Sequence, residues 1–454
     1  MCLFWLLNYI LNQISVKPTY PKTDKYLTDQ KHEKCSVNNG DKMKIAFFVY
    51  EYPPSLVGGL GTYSQNMAPT LVKMGHEVSV FTLNRDGLPT KEILDGVEVY
   101  RPLVSDATNL FSIISDHNLR KWGSGLRFFS DIVLYNILSA NKLLNNLIKE
   151  EGREFDMVCY HDWLSSTAGL MVKHNSELPT VFHVHSTEWG RANGGGSEVV
   201  SQIETAAAED ANQIVTVSNA MKKDLANHGW NGDKINMVWN GVDPARYDPT
   251  KIKTSDIQTL RNHYQISEDE KMILFIGRLS QVKGAVELVQ AMTQVNKYSP
   301  KAKLVVLGCG ELGGLIKNLV YEQGLSKYVR LVFEFIPEEQ RILHYAASDL
   351  CVFPSTYEPF GIVSLEAMAM AKPVVVGARG VVGFAEQVIP NGPAKCGIHV
   401  NGGDPNDIAW GINEVLHDPT EAKAWGVNGR KRVLDCFTWE NAASETLNVY
   451  KKVI

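Results

Sequence analysis

The feature that most narrows what this chain can fold into is a beat of short apolar runs, dense in Val, Ile and Phe, alternating with amphipathic stretches from Lys44 onward. The first series is Lys44–Tyr50, Glu77–Leu83, Val97–Arg101, Asp156–Tyr160, Thr180–His185, Gln213–Val217 and Ile235–Val238. After a polar, uneven stretch over residues 248–270 come Met272–Gly277, Lys303–Gly308, Val329–Phe333, Asp349–Pro354, Pro373–Gly377 and Cys396–Val400. None of these runs alternates strictly between apolar and polar residues. Strands buried on both faces, as in a parallel sheet covered by helices, have this character. Between the first two runs, Leu60, Tyr63, Met67, Leu71 and Met74 recur at helical intervals, which predicts a helix with a kink at Pro69 and a stop at Gly75. Residues 109–151 read as a longer helical insertion and residues 430–454 as one final helical pattern. Two βαβ series with one break predict an α/β fold class: two doubly wound, Rossmann-like domains, 43–248 and 249–430, facing each other across a cleft. Ligands of such sheets bind beyond the carboxyl ends of the strands.

With 44% hydrophobic and 21% charged residues over 454 positions, a disordered, collagenous or multi-span membrane chain is excluded. A net charge of −5 argues against a dedicated nucleic-acid binder. Seven dispersed cysteines without a C-x-x-C pair read as reduced thiols of a cytoplasmic protein, neither a disulfide framework nor a zinc site. The apolar run Met1–Asn12 is shorter than the roughly 20 residues a spanning helix needs, and it lacks the basic flank and cleavage site of a signal peptide. With the polar segment that follows, residues 1–42 read as a leader that is disordered or a start-site artefact, weak interfacial anchoring being the other reading.

Four segments carry chemistry. Gly58-Gly59-Leu60-Gly61 follows the first run and opens the first helix, where free N–H groups favour an anion and glycine admits a close approach. Arg278, after Gly277, and Lys283, before Gly284, lie beyond a buried strand of the second series, and a planar fork beside a point charge suits a diphosphate. In Ser355–Ala369, Pro359 and Gly361 turn the chain into a helix, with Glu358 on the loop before it and Glu366 within it. Two carboxylates so placed would grip sugar hydroxyls of a ribose and a hexose, although either alone would read as a cap or a solvated side chain. Finally, His161-Asp162-Trp163 and His183-Val184-His185 end neighbouring runs of the first series. The histidines of the second pair are expected to split between the crevice and the packing layer, which speaks against a shared metal site.

Together these segments resemble the retaining nucleotide-sugar glycosyltransferases of family 4, in the branch that holds the glycogen and starch synthases. The resemblance runs from Met43 to the C-terminus. It rests first on Glu358 and Glu366 enclosing Pro359-Phe360-Gly361, then on Gly277-Arg278 with Lys283-Gly284. Val57-Gly58-Gly59-Leu60-Gly61, His161-Asp162-Trp163, Asn240-Gly241-Val242-Asp243 and Pro337-Glu338-Glu339 add support in the expected order. The fold it implies is GT-B, with a C-terminal helix, 431–454, returning to the first domain. It further implies that His185, Arg278, Lys283 and Glu358 are catalytic, and that Gly59, Gly61, Phe360, Gly361, Ile362, Val363 and Glu366 bind the donor. His161, Asp162, Glu188 and Arg191 would meet the acceptor or its sugar. No metal or other cofactor is expected. Glycogen synthases usually carry Lys ahead of the first Gly-Gly loop, and Val57 stands there in this chain, which puts use of ADP-glucose of the bacterial type in doubt.

The leading expectation is transfer of a hexose, glucose first, from a nucleoside diphosphate to a glucan or another sugar hydroxyl, with no nucleic-acid partner. A second reading is a transferase acting on a lipid-linked or cell-surface precursor, with peripheral membrane contact through Lys121, Arg127, Phe128 and Phe129. A third, a non-catalytic sugar-nucleotide binder, is disfavoured by the intact charged set. A phosphorylase-like reaction would need a lysine pocket for pyridoxal phosphate, of which the sequence holds no local signature.

Overall fold

A computed structural model describes residues 42–454 apart from Asp86 and Asp116. The expected leader, Cys2 and Cys35 fall outside the described residues, Lys42 aside. The first sheet comprises β1 (Lys44–Phe48), β2 (Glu77–Phe81), β3 (Lys91–Leu94), β4 (Val97–Tyr100), β5 (Met157–His161), β6 (Thr180–Val184), β7 (Gln213–Thr216) and β8 (Ile235–Met237). Their spatial order is β3-β4-β2-β1-β5-β6-β7-β8. All pairings are parallel except β3 with β4. That antiparallel edge was not among the expected strands. Its turn is Asp95-Gly96, both at positive φ, a hairpin signal that the short, half-exposed run around it obscured.

Order reverses between β1 and β5, so the crevice at their carboxyl ends is the ligand-binding position of this topology. Helix α1 (Gly59–Lys73) runs from that edge and is continuous through Pro69. Its Tyr63, Met67 and Leu71 are fully enclosed. The insertion forms helices Thr108–Ile114, His117–Arg120 and Leu126–Asn141, continued by a wider turn over Lys142–Glu150. A single turn, α2 (Glu188–Arg191), follows β6.

The second sheet comprises β9 (Lys271–Ile276), β10 (Ala302–Leu307), β11 (Val329–Val332), β12 (Leu350–Phe353), β13 (Val374–Gly377) and β14 (Gly397–Val400), all parallel in the order β11-β10-β9-β12-β13-β14. Its reversal lies between β9 and β12. Helix α3 (Ile362–Ala369) follows β12. The polar stretch between the series holds a helix, Thr254–His263, whose buried Arg261 donates to the Ala347 carbonyl and Asp349.

The final helical pattern is two helices, α4 (Pro419–Cys436) and α5 (Trp439–Tyr450). The first lies against α3 in the second domain, so one helix continues through residue 430 and the crossing falls at Phe437–Thr438. There the outgoing and returning chains run side by side, with Val242 N–H donating to the Phe437 carbonyl at 3.0 Å. Helix α5 then packs Trp439, Ala443, Leu447 and Tyr450 against Tyr63, Met67 and Leu71 of α1 in one apolar cluster. At about 1.5–3 kcal/mol per large apolar side chain enclosed, this contact ties the chain's end firmly to the first domain. Of the described cysteines, Cys159, Cys351 and Cys396 are buried, Cys436 is half-buried and Cys309 is exposed, all as free thiols.

Candidate active site

The carboxyl edge of the second sheet is built by two loops. After β9, Arg278 is exposed and has no ion-pair partner among the described residues. Lys283 closes a short turn over Gln281–Lys283, and its ammonium pairs with the Glu358 carboxylate. The charges assigned to diphosphate and sugar thus meet each other. The Glu358 backbone is pinned as well, its N–H donating to the Val381 carbonyl and its own carbonyl accepting from Gly383 N–H at 2.7 Å.

Gly361 starts α3 at φ 88°, and a Cβ there would overlap the Phe384 ring. Only glycine meets both conditions. The N–H groups of Ile362 and Val363 in the first turn have no protein acceptor among the described residues, so they remain available to an anion. Glu366 is only 3% exposed. Its oxygens accept from Tyr247 Oη at 2.9 Å and Tyr345 Oη at 2.8 Å, with the Arg341 guanidinium 3.6 Å away. Tyr247 Oη also lies 3.0 Å from Glu338, which pairs with Arg246 at 2.7 Å. The segment after Asn240–Asp243 therefore meets Pro337-Glu338-Glu339 around Glu366. Burial first, and Glu366 second, lifts both phenols well above their ordinary range, so both stay protonated. A carboxylate has about four lone-pair sites, and the two tyrosines leave it capacity for a ligand hydroxyl. Tyr247, Arg341 and Tyr345 were not expected from the sequence, because nothing local marks a tyrosine as a carboxylate partner. Beside these loops a cavity of about 310 Å³ is lined by Leu279, Cys309, Gly310, Gly313, Lys317 and Phe333. A larger surface crevice of about 490 Å³, lined by residues 173–177, adjoins none of the residues expected to act.

In the first domain the glycine loop is already occupied by an acid. Glu51 Oε2 accepts from Val57 and Gly58 N–H at 2.9 and 3.0 Å. The first-turn N–H groups of Gly59, Leu60 and Gly61 have no protein acceptor among the described residues. Glu51 was missed, although it stands directly after the first apolar run.

His161 and His183 are register partners on β5 and β6. Residues two apart on a strand share a face, so the expected split of His183 and His185 is wrong. Their rings lie 6.4 Å apart, and both flank Tyr63, at 6.2 and 4.4 Å. With His161 they form one layer. Cys159, His161 and His183 bring ligating atoms within 4.8 Å of one another, so the strand-face argument against a metal fails too. Hydrogen bonds tie the layer into the core. His183 is held between Tyr63 Oη at 3.3 Å and Tyr450 Oη at 3.0 Å, the latter from α5. Burial raises the Cys159 thiol to about 12. Burial also lowers all three imidazoles, which are therefore neutral at pH 7. The Nε2 atoms of His161 and His185 are shielded from solvent and have no partner among the described residues.

Asp162 takes φ 53°, and its carboxylate accepts from His185 and Ser186 N–H at 2.7 and 3.3 Å. It thereby shapes the loop that presents His185. Arg191 reaches Ser186 Oγ at 2.5 Å, Glu188 at 3.1 Å and Glu204 at 3.5 Å. Glu204, also missed, is buried and accepts from Glu188 N–H through both oxygens, at 3.0 and 3.1 Å. Burial, opposed by Arg191, pushes its carboxyl up to about 8.

At the carboxyl edge of the second sheet, then, stand cations and a helix N-terminus, and at that of the first the His185 loop over a layer of buried imidazoles. The comparisons with known proteins give the family. Residues 57–246 match the model of Glycosyltransferase Family 4, and residues 256–432 that of Glycosyl transferases group 1. A glycosyltransferase of Methanocaldococcus jannaschii is 34% identical over 90% of this chain and 98% of its own length. An alpha-maltose-1-phosphate synthase of Mycolicibacterium smegmatis is 27% identical over 90% of this chain and all of its own length. A glycogen synthase of Mycobacterium tuberculosis is 26% identical over 90% of this chain and 94% of its own. Among solved structures, sucrose-phosphate synthase from Thermosynechococcus elongatus superposes with a TM-score of 0.71 at 23% identity, covering 90% of this chain and 99% of its own. The chain belongs to glycosyltransferase family 4, with the GT-B fold and a likeness to glycogen synthases, and it is a glycosyltransferase. Among the described residues no helix is long and apolar enough to cross a membrane.

Proposed function

We propose that this glycosyltransferase moves a hexose, glucose first, from a nucleoside diphosphate to a glucan or another sugar hydroxyl in the cytoplasm, with retention and without a bound metal. The observation that carries this reading is the second-domain edge, where exposed Arg278, the Lys283–Glu358 pair and the free N–H groups of Ile362 and Val363 stand together. Departure of the diphosphate breaks the bond from the sugar's anomeric carbon to phosphate oxygen. The charge that develops would fall on Arg278, Lys283 and those N–H groups, which need no reorganisation to receive it. The acceptor oxygen then bonds to the anomeric carbon from the leaving-group face, and its proton passes to the departing phosphate oxygen. Glu358 would accept from hydroxyls of the donor sugar and Glu366 from the ribose. Neutral His185 would offer its unpartnered Nε2 to the sugar's primary hydroxyl. The cavity beside Leu279 and Phe333 suits a flat base. Phe360, Gly361, Gly59 and Gly61 would supply backbone around donor and sugar, while His161, Asp162, Glu188 and Arg191 shape the acceptor side.

A second acceptor class is a phosphorylated or lipid-linked sugar. It is favoured by the likeness to a synthase of a sugar 1-phosphate and by Arg191 on the acceptor side. The test is release of nucleoside diphosphate by the full chain from UDP-glucose, ADP-glucose, GDP-mannose and UDP-GlcNAc. Each donor is offered alone, then with glycogen, glucose 1-phosphate or a lipid extract. Release from a glucose donor that glycogen stimulates is expected. Stimulation by the sugar phosphate or the extract alone would move the reading to the second class, and release from none of the donors would overturn it.

A further inference from the structure

The loop that carries Glu358 also carries Tyr357, and this side chain leaves its own domain. Its ring is only 9% exposed although it stands on a loop, because it is inserted beneath α2 of the first domain. Tyr357 Oη accepts from Thr187 N–H at 3.2 Å, lies 3.2 Å from Thr187 Oγ1, and reaches Met221 Sδ at 3.9 Å. The ring fills the space that a side chain at residue 190 would take: a Cβ on Gly190 would overlap it. Gly190 is not at positive φ, so the demand for glycine there is purely one of room for Tyr357.

The seat is rigid on the first-domain side. Thr187 is the residue before α2, and Arg191 N–H donates back to its carbonyl at 3.1 Å. Glu204 holds Glu188 N–H, and Trp189 Nε1 donates to Asp224 at 2.9 Å. Two residues upstream, Asp162 fixes His185. On the other side, one peptide bond separates Tyr357 from Glu358, whose carboxylate pairs with Lys283. A single aromatic contact thus joins the segment presenting His185 to the loop presenting Glu358.

We propose that Tyr357 seated over Gly190 is a positioning residue, through which the acceptor-side turn Thr187–Arg191 sets the placement of Glu358 against the donor sugar. The proposal rests on the reading of Glu358 and His185 as groups that meet that sugar. Tyr357 touches neither donor nor acceptor in it. A misplacement of about 1 Å at a reacting group costs on the order of 10²-fold in rate, so the contact acts on turnover. Arg278 and Glu366, which would hold the nucleotide, lie in the second domain, and Glu366 is held there by Tyr247, Tyr345 and Arg341.

The test uses four variants of the full chain, Gly190→Ala, Tyr357→Phe, Tyr357→Ala and the double Gly190→Ala/Tyr357→Ala, each checked for an unchanged melting profile. Hydrogen exchange is followed by mass spectrometry in peptides covering 185–191 and 355–361, alongside kcat, KM and the affinity for UDP or ADP. Gly190→Ala is expected to speed exchange in both peptides and to lower kcat by roughly 10²-fold, with nucleotide affinity held within about twofold. Tyr357→Phe keeps the ring and loses the hydroxyl, so kcat falls only by about 2- to 10-fold, as for one hydrogen bond. In the Tyr357→Ala background, Gly190→Ala is expected to add nothing, since the ring it would displace is gone. Exchange in 355–361 that stays at the parent rate in Gly190→Ala overturns the proposal, as does an unchanged kcat or a fully additive double variant. If the parent releases nucleoside diphosphate from no donor, the proposed reaction fails by itself. The two exchange peptides still decide whether the turn holds the Glu358 loop.

Discussion

The two domains share a topology and build their halves of the cleft in opposite ways. The second domain relies on exposed or pair-neutralised charges and on backbone. Arg278 has no ion-pair partner among the described residues, Lys283 meets Glu358, and Gly361 opens α3 in a conformation only glycine tolerates. The first domain relies on buried polar groups that hold one another. Three neutral imidazoles are layered with Tyr63 and Tyr450, Asp162 ties the His185 loop, and Glu204 ties α2. An edge made of local charges acts directly on a ligand. One made of long-range hydrogen bonds acts by keeping a few atoms in place. Substitutions should separate the two.

The largest effects belong to the second domain. Lys283→Ala and Glu358→Ala each remove one member of a partly buried pair; the protein should still fold, with some loss of melting temperature, while transfer falls on the order of 10²- to 10³-fold, as for the loss of one group stabilising the leaving charge. Full turnover in both variants with the parent's donor would remove these residues from the reaction. Asp162→Ala attacks the other kind of edge. It leaves two N–H groups without their acceptor, at about 1–3 kcal/mol each where buried, and lets the His185 loop drift. A loss of melting temperature should therefore accompany a loss of turnover of roughly 10²-fold. If Asp162→Ala lowers turnover with no loss of stability, the contrast drawn between the domains is mistaken.

Glu366 blurs the division, since it is a second-domain residue with first-domain manners. Tyr345→Phe and Tyr247→Phe each take away one donor to its carboxylate, a change worth about 1–3 kcal/mol. The expected readout is a raised donor KM with kcat nearly kept, because the loss falls on holding the nucleotide. A change confined to kcat would place Glu366 nearer the reacting atoms than the ribose.

What could be read from the sequence divides along the same line. Arg278, Lys283, Glu358 and Gly361 sit on loops directly after apolar runs, so local position singles them out as candidates, while their expected roles came from the family resemblance. The parallel sheets were legible for a related reason: burial on both faces removes alternation from the strand sequence itself. Tyr247, Tyr345, Glu51 and Glu204 were not legible, because each acquires its role from a partner far along the chain. Glu204 meets Glu188 and Arg191 only when a helix packs beneath α2. The error over His183 and His185 was different in kind, since a spacing of two on a strand already places both on one face. The terminal helix was seen, but the break at Phe437–Thr438 depends on where the returning chain meets Val242.

Glu204 gives the finest test, in stability and not in turnover. Its carboxyl rises from 4.5 to about 8, chiefly by burial. Below pH 4.5 both the native and the unfolded forms of this group are protonated, and it contributes no pH dependence. Between there and pH 8 the unfolded chain has released the proton while the native protein retains it. The unfolded state then binds fewer protons, and stability falls as pH rises. Above about 8 both forms are ionised and the slope from this group ends. One proton sets a ceiling of about 1.4 kcal/mol per pH unit. Glu204→Gln keeps the acceptor for Glu188 N–H and cannot titrate, so urea unfolding at pH 5, 6, 7 and 8 should show the variant gaining on the parent at each step. Parallel curves would mean that Arg191 holds Glu204 ionised throughout. The first-domain edge would then be charged, like that of the second domain, and the two would differ less than their hydrogen bonds suggest.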